Sequence, residues 1–128
     1  MERVTGIGGI FFKANDPITL REWYRVHLGI DVQDWGGFSF NWHNPDDLVN
    51  TGSTVWSIFP DSSEYFSPST APFMINYRVT DLEALLIVLR EEHCEVIDKV
   101  EISEYGKFGW VMDPEGNKIE LWEPPAGS

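Results

Sequence analysis

Apolar and polar positions follow a strand–helix–three-strand order in the first half of the chain. Residues 5–13 are rich in isoleucine and phenylalanine, which predicts a strand. A helix is predicted over 17–28, because Asp16-Pro17 is a typical N-cap pair and the apolar residues that follow recur at helical spacing. Gly29 is a typical helix stop. Short apolar runs then predict strands at 30–32, 38–42 and 54–59, with a hairpin turn at 35–37.

The second half, which starts at residue 73, repeats this order. A strand is predicted over 73–79, and the helix after it has leucines along one face. The start of that helix matches a capping box, in which Thr80 and Glu83 each accept a hydrogen bond from the other's backbone amide. Asp113-Pro-Glu-Gly116 has the composition of a type I turn. The remaining apolar runs predict strands at 96–102, 108–112 and 118–122.

A connector is predicted between the two halves, at residues 60–72, because this segment contains three prolines and several serines. Tyr65 and Phe66 within it are expected to anchor the connector onto the body of the protein. Three glycines interrupt the first predicted strand, which indicates a bulge or the close approach of another group.

Each half can bury one apolar side of its sheet under its own helix, which predicts an α+β fold. The expected architecture is two βαβββ modules that form curved mixed sheets around a concave cavity, with the helices on the outer faces. We expect one domain over 1–128, with module one at about 1–60, the connector at about 60–72 and module two at about 73–123.

Strand alternation divides the predicted strands into a purely apolar face and a mixed face. In the last strand, Ile119 and Leu121 share one face and Glu120 lies on the other. The apolar faces should pack under the helices, and the mixed faces should line the cavity. An apolar wall with a few polar groups is typical of a small-molecule pocket. The mixed faces contain Gly9, Phe11, Lys13, Met74, Asn76, Arg78, Lys118, Glu120 and Trp122.

The composition and charge of the chain argue against some classes of binding partner. The chain has 128 residues, 42% of them hydrophobic, which is enough for the core of one domain. Its net charge of −12 argues against nucleic acid and anionic membrane surfaces as partners. The apolar runs fall far short of the roughly 18 residues that a membrane span needs, and the first residues do not resemble a signal peptide. A single cysteine, Cys94, fits a reducing compartment, so we predict a cytoplasmic location.

The most specific motif is Asp113–Trp122, whose sequence DPEGNKIELW resembles the closing hairpin and last strand of a known family. Supporting motifs are 6–13 with Asp16-Pro17, Trp23-Tyr24 and 28–30. Over nearly its full length the chain resembles the vicinal oxygen chelate superfamily, which contains the glyoxalase, bleomycin-resistance and extradiol-dioxygenase proteins. The resemblance implies the fold described above. It does not select one activity, because the superfamily contains isomerases, lyases, oxygenases, transferases and binding proteins.

The resemblance also implies where a metal would bind. In metal-dependent members the ligands come from the first strand of each half and from the last strand. Here those positions fall on Gly9, Met74 and Glu120, and a further one falls near Trp56 or Ser57. Catalytic zinc sites use about three protein ligands, so we predict no metal and no other cofactor. His43 would add a ligand only if its strand reached the cavity.

Glu120 is the predicted catalytic residue. It is a general base for proton abstraction beside a carbonyl, a vestigial metal ligand paired with a lysine, or a hydrogen-bond acceptor for a ligand. Lys13 and Arg78 either hold an acidic group or extend into water from the strand ends. The resemblance places Lys13 where glyoxalases often carry a substrate-binding arginine. The predicted ligand-binding residues are Phe11, Lys13, Trp56, Met74, Asn76, Arg78, Trp110 and Trp122.

Two functions are compatible with these residues. The first is a metal-free binding protein of the bleomycin-resistance type, which holds a small organic ligand, anionic or carbonyl-bearing, in an aromatic cavity. The second is a lyase or isomerase of the glyoxalase type that acts on a small carbonyl substrate. Most of the implied metal-binding positions lack a side chain that can ligate a metal, which favours binding over catalysis. A homodimer is also predicted, because a curved half-sheet leaves edges and an apolar rim exposed.

Overall fold

Seven strands and two helices make up the described part of the protein. The computed structural model describes residues 2–42 and 52–126. The α+β class predicted from the sequence is confirmed. In chain order the elements are β1 (Val4–Ala14), α1 (Pro17–Leu28), β2 (Gly37–Asn41), β3 (Ser53–Pro60), β4 (Phe73–Val79), α2 (Leu82–Glu91), β5 (Glu95–Ser103), β6 (Gly106–Met112) and β7 (Lys118–Glu123).

The strands form one curved mixed sheet in the order β2-β3-β1-β4-β7-β6-β5. Within each half the first and last strands pair in parallel, as β1 with β3 and β4 with β7. The two halves join through antiparallel pairing of β1 with β4, in which Ile10 lies opposite Ile75. Both modules therefore contribute to one sheet within a single chain.

Helix α1 begins and ends as its sequence predicts. The Asp16 carboxylate accepts a hydrogen bond from the Thr19 amide at 3.1 Å, and Gly29 ends the helix in the left-handed conformation, with φ of 67°. The strand predicted at 30–32 is wrong. The guanidinium of Arg25 donates to the Val32 carbonyl at 2.7 Å, so this backbone group is satisfied by a side chain and not by a neighbouring strand.

Helix α2 covers the outer face of the second module. Its N-cap is Asp81, whose carboxylate accepts a hydrogen bond from the Ala84 amide at 3.1 Å. The predicted capping box is therefore wrong, because the Thr80 hydroxyl donates to Glu2 instead. Beneath the helix lies a buried apolar cluster, in which the face of β7 predicted to be apolar packs as expected. The cluster consists of Val79, Leu82, Leu85, Leu86 and Leu121, with Ile119 at its edge.

A second buried cluster lies on the concave face and holds the connector in place. Phe66 of the connector is fully buried against Met74 and Trp110. This confirms that Phe66 anchors the connector to the sheet. Because the connector crosses the concave face, it closes one side of the space enclosed by the curved sheet.

No helix among the described residues combines the length and the apolar character that crossing a lipid bilayer would need.

Candidate functional site

The concave face contains a cavity of about 350 Å³ with a largely aromatic wall. Strands from both modules contribute to it, and the connector contributes Tyr65. Two buried polar side chains, Asn76 and Glu120, are part of the wall. The other lining residues are Gly8, Phe11, Val55, Phe59, Tyr65, Tyr105, Phe108 and Trp122.

The carboxylate of Glu120 is the most heavily hydrogen-bonded group at the site. It is 2% exposed and accepts bonds from three different elements. The amide nitrogen of Asn76 donates to Oε1 at 2.7 Å, and the indole nitrogen of Trp110 donates to Oε2 at 2.9 Å. The Tyr65 hydroxyl donates to Oε2 as well. The carboxylate is thus held in one orientation by β4, β6 and the connector.

Burial and hydrogen bonding act on the ionisation of Glu120 in opposite directions. Burial raises the pKa of this carboxyl above its ordinary value, because it disfavours the charged form. The three donors and the nearby ammonium of Lys118 lower the pKa, but burial is the larger effect. Burial and the charge of Glu120 likewise raise the pKa of the Tyr65 hydroxyl. The site therefore contains a carboxyl group that takes up a proton more readily than an exposed one.

Tyr65 is held against the sheet at three points. Its ring stacks on Phe59 with centroids 5.7 Å apart, and its hydroxyl bonds to Glu120. The ammonium of Lys118 donates to the Tyr65 carbonyl at 2.8 Å, and lies 5.3 Å from the centroid of the Trp110 ring. The connector thereby supplies both an aromatic wall and a polar contact to the site.

Gly8 permits close packing between β1 and Asn76. A Cβ atom at this position would collide with the Asn76 Oδ1 atom and press on Trp122. The sequence predicts a bulge or close approach at these glycines, and the pairing of β1 with β4 contains irregularities at Val4/Gly6 and Ile7/Gly9. The glycines of β1 therefore shape one wall of the cavity.

Four of the predicted site residues line the cavity, namely Phe11, Asn76, Glu120 and Trp122. Two more lie directly behind its wall. Trp110 is 2% exposed and bonds to Glu120, and Met74 is fully buried in the adjoining cluster. Strand alternation thus brings these six side chains to one face of the sheet.

The other three predicted residues lie outside the cavity wall. Trp56 faces α1, where its ring centroid is 4.9 Å from that of Tyr24, because alternation in β3 turns it away from Val55. The ammonium of Lys13 lies over the Phe66 ring at 5.4 Å. Arg78 is 6% exposed and stacks between Trp42 and Trp122.

A divalent metal does not fit the side chains at the positions implied by the resemblance. Gly9 has no side chain, Met74 is enclosed in an apolar cluster, and the Glu120 carboxylate is already engaged by three donors. Among residues 2–42 and 52–126, no three His, Cys, Asp or Glu side chains converge into a possible metal site. His43 lies outside the described residues. We therefore assign no chemical step to a metal.

Tyr65 was predicted as an anchor but not as a site residue. The connector has no hydrophobic periodicity that would predict which of its side chains point towards the sheet. The contact between Tyr65 and Glu120 therefore depends on tertiary packing. Val55, Phe59 and Phe108 were also missed. Their position follows only from the register of β3 and β6 against their neighbours, since Gly9 pairs with Val55 and Phe108 with Trp122.

A larger groove of about 520 Å³ lies along the start of α1, beside Trp23 and Tyr24. Its acidic residue, Asp16, is engaged as the helix cap. Because buried polar groups converge on the smaller cavity and not on this groove, we place the candidate site in the smaller cavity.

Comparison with solved structures identifies the fold. The methylmalonyl-CoA epimerase from Mycobacterium tuberculosis is 20% identical, with a TM-score of 0.62 over 98% of this chain and 91% of that one. A variant of the Streptomyces coelicolor methylmalonyl-CoA epimerase, in complex with 2-nitronate-propionyl-CoA, is 18% identical, with a TM-score of 0.68 over 96% and 99%.

A glyoxalase/bleomycin resistance protein/dioxygenase superfamily member from Vibrio splendidus 12B01 is 16% identical, with a TM-score of 0.55 over 96% of this chain and 99% of that chain. No protein-family profile matches the chain, and no curated protein matches it. At these identities the likeness shows the fold alone. The protein has the vicinal oxygen chelate fold.

Proposed function

We propose that this protein binds a small, largely apolar organic molecule in the aromatic cavity, without a catalytic metal. The main support for this proposal is the composition of the cavity wall. In it, six aromatic side chains surround two buried polar groups, Asn76 and Glu120. Aromatic walls bury the flat faces of an organic ligand, and a few fixed polar groups orient it. A volume of about 350 Å³ suits a ligand with one or two rings.

The side chains of the cavity wall support a neutral ligand better than an acidic one. The sequence offers Lys13 and Arg78 as the side chains that would hold an acidic group. Lys13 lies over Phe66 and Arg78 lies between two tryptophans, and neither is part of the wall. Among residues 2–42 and 52–126, the charged side chain that lines the cavity is Glu120. A carbonyl-bearing ligand without a negative charge is compatible with this wall.

Titration of the purified protein with benzofuran and with indole, followed by calorimetry, tests the proposal. We expect saturable binding of one molecule per chain. Val55→Trp places a large ring in the cavity and should weaken binding about tenfold or more. The matched control Val100→Trp, on the exposed part of β5, should leave binding within about twofold, because it alters no wall residue. If neither probe binds, or if Val55→Trp binds both as wild type does, the proposal fails.

Proton transfer at a carbonyl substrate is the second candidate function. It is favoured by the position of Glu120, a buried carboxyl with a raised pKa in a cavity wall, beside the Tyr65 hydroxyl. In such a reaction the Glu120 carboxylate would remove a proton from the carbon next to the carbonyl and return it to the same atom. Two of the three solved structures described above are methylmalonyl-CoA epimerases, which makes methylmalonyl-CoA a suitable first probe.

Deuterium exchange tests this second candidate. The protein is incubated with methylmalonyl-CoA in D₂O, and the mass of the recovered thioester is followed over time. Exchange faster than the buffer control, and lost in Glu120→Gln, would favour catalysis. Exchange no faster than the control would leave binding as the function supported by the cavity.

A further inference from the structure

We infer that the cavity selects ligands that carry an N–H or O–H donor and discriminates against anionic ones. This inference rests on the proposed binding function and adds the chemical class of the ligand. It follows from which hydrogen-bonding groups of the wall are already engaged and which are left for a ligand.

The donors of the wall are largely engaged within the protein. The Tyr65 hydroxyl donates to Glu120. The indole nitrogen of Trp122 donates to the Tyr105 carbonyl at 2.7 Å. The amide nitrogen of Asn76 donates to Glu120 at 2.7 Å. A ligand that offers only acceptors, such as a carboxylate, would compete with these bonds.

Apart from the exposed Tyr105 hydroxyl, the groups left over among the described residues of the wall are acceptors. Asn76 is 2% exposed, and its Oδ1 atom has no hydrogen-bond partner among the described residues. The nitrogen of this amide donates to the Glu120 carboxylate, and the oxygen lies beside Gly8 of the cavity wall. Glu120 Oε1 accepts one bond from Asn76 and has the capacity for another.

A buried acceptor without a partner is costly, and a ligand donor that reaches it removes this cost. The charge of the site acts in the same direction. Glu120 repels a carboxylate in the cavity, and the chain as a whole has a net charge of −12. Lys118 lies behind Tyr65 and Trp110, and its ammonium is engaged by the Tyr65 carbonyl.

Three probes with the same ring size separate these effects in the wild-type protein. Indole has an N–H donor, benzofuran replaces it with an ether oxygen, and benzofuran-2-carboxylate adds a negative charge. Calorimetry should show indole binding about tenfold more tightly than benzofuran, as expected for one buried hydrogen bond. The carboxylate should bind more weakly than benzofuran.

The variant Asn76→Leu removes the unpaired acceptor at similar size, and should reduce the preference for indole to within about twofold. The matched control Gln33→Leu removes an exposed amide outside the cavity wall and should keep the preference. Circular dichroism checks that both variants fold. If Asn76→Leu does not fold, the wild-type comparison still decides.

The outcomes separate this inference from the proposed function. Equal binding of indole and benzofuran, or tighter binding of the carboxylate, overturns the inference while cavity binding stands. A preference that is lost in Gln33→Leu and kept in Asn76→Leu also overturns it. Binding of none of the three probes contradicts the proposed function itself.

Discussion

At the scale of single residues, Glu120 determines the chemistry of the site. Alternation along the last strand places it on the concave face from sequence alone, opposite Ile119 and Leu121. Its partners could not be predicted in the same way. Trp110 and Asn76 come from strands whose register is fixed only when the sheet assembles, and Tyr65 comes from a connector without periodicity.

The raised pKa of Glu120 predicts a specific dependence of stability on pH. A carboxyl whose pKa is higher in the folded than in the unfolded state binds more protons when folded. Its contribution to the free energy of unfolding is therefore largest below the unfolded value of about 4.3, and falls as pH rises through the folded pKa. Urea unfolding at several pH values, on wild type and Glu120→Gln, should show a wild-type advantage that shrinks as pH rises.

Glu104→Gln is the matched control, because it removes one negative charge from an exposed side chain. Its difference from wild type should not reproduce the same pH trend. If the wild-type advantage over Glu120→Gln grew with pH, the three donors would outweigh burial, and the raised pKa would be wrong.

At the scale of elements, the helices show what local sequence can and cannot predict. Asp16 and Gly29 bound α1 as expected, because both act within one turn of their own helix. The capping box at α2 and the strand at 30–32 were wrong for a common reason. In both places a hydrogen bond joins a residue of the predicted pattern to a residue outside it: Thr80 bonds to Glu2, and the Val32 carbonyl accepts from Arg25.

The cap of α2 predicts a difference between two neighbouring substitutions. Asp81→Ala removes the acceptor of the Ala84 amide and should lower the free energy of unfolding by about 1 kcal/mol. Thr80→Ala removes an exposed bond to Glu2 and should cost clearly less. Chemical denaturation of both variants measures this. A larger loss of unfolding free energy for Thr80→Ala would indicate that Thr80 caps the helix, as the capping box predicts.

At the scale of the whole molecule, pairing of β1 with β4 joins two similar halves into one sheet and encloses the cavity between them. The repeated order of elements predicts two such halves. It does not predict that they pair within one chain, because the same strands could pair between two chains. The cytoplasmic location stays a prediction that rests on the single cysteine.

We predict no stoichiometric divalent metal. The residues at the implied ligand positions, Gly9 and Met74, offer no oxygen, imidazole or thiolate ligand, and the Glu120 carboxylate is engaged by its donors. Elemental analysis of protein purified without chelator measures this directly. About one zinc, nickel, manganese or iron per chain would contradict the prediction.

We also predict a homodimer. The strands β2 and β5 are the edges of the sheet, and large apolar side chains are exposed on its surface, among them Ile10 at 44% and Phe73 at 40%. Association would cover some of this apolar area. Light scattering at micromolar concentration should give twice the mass of the chain, and a monomeric mass would contradict it.

The position of a bound ligand in a crystal shows whether the aromatic cavity is the binding site. Crystals of chelator-treated protein soaked with 5-bromoindole would reveal the ligand through the anomalous signal of bromine. We expect one strong bromine peak in the aromatic cavity, with the ring against Phe11 or Phe108 and the N–H directed at Asn76 or Glu120. A peak confined to the groove beside Trp23, or a ring in the cavity with its nitrogen turned away from both acceptors, would contradict this expectation.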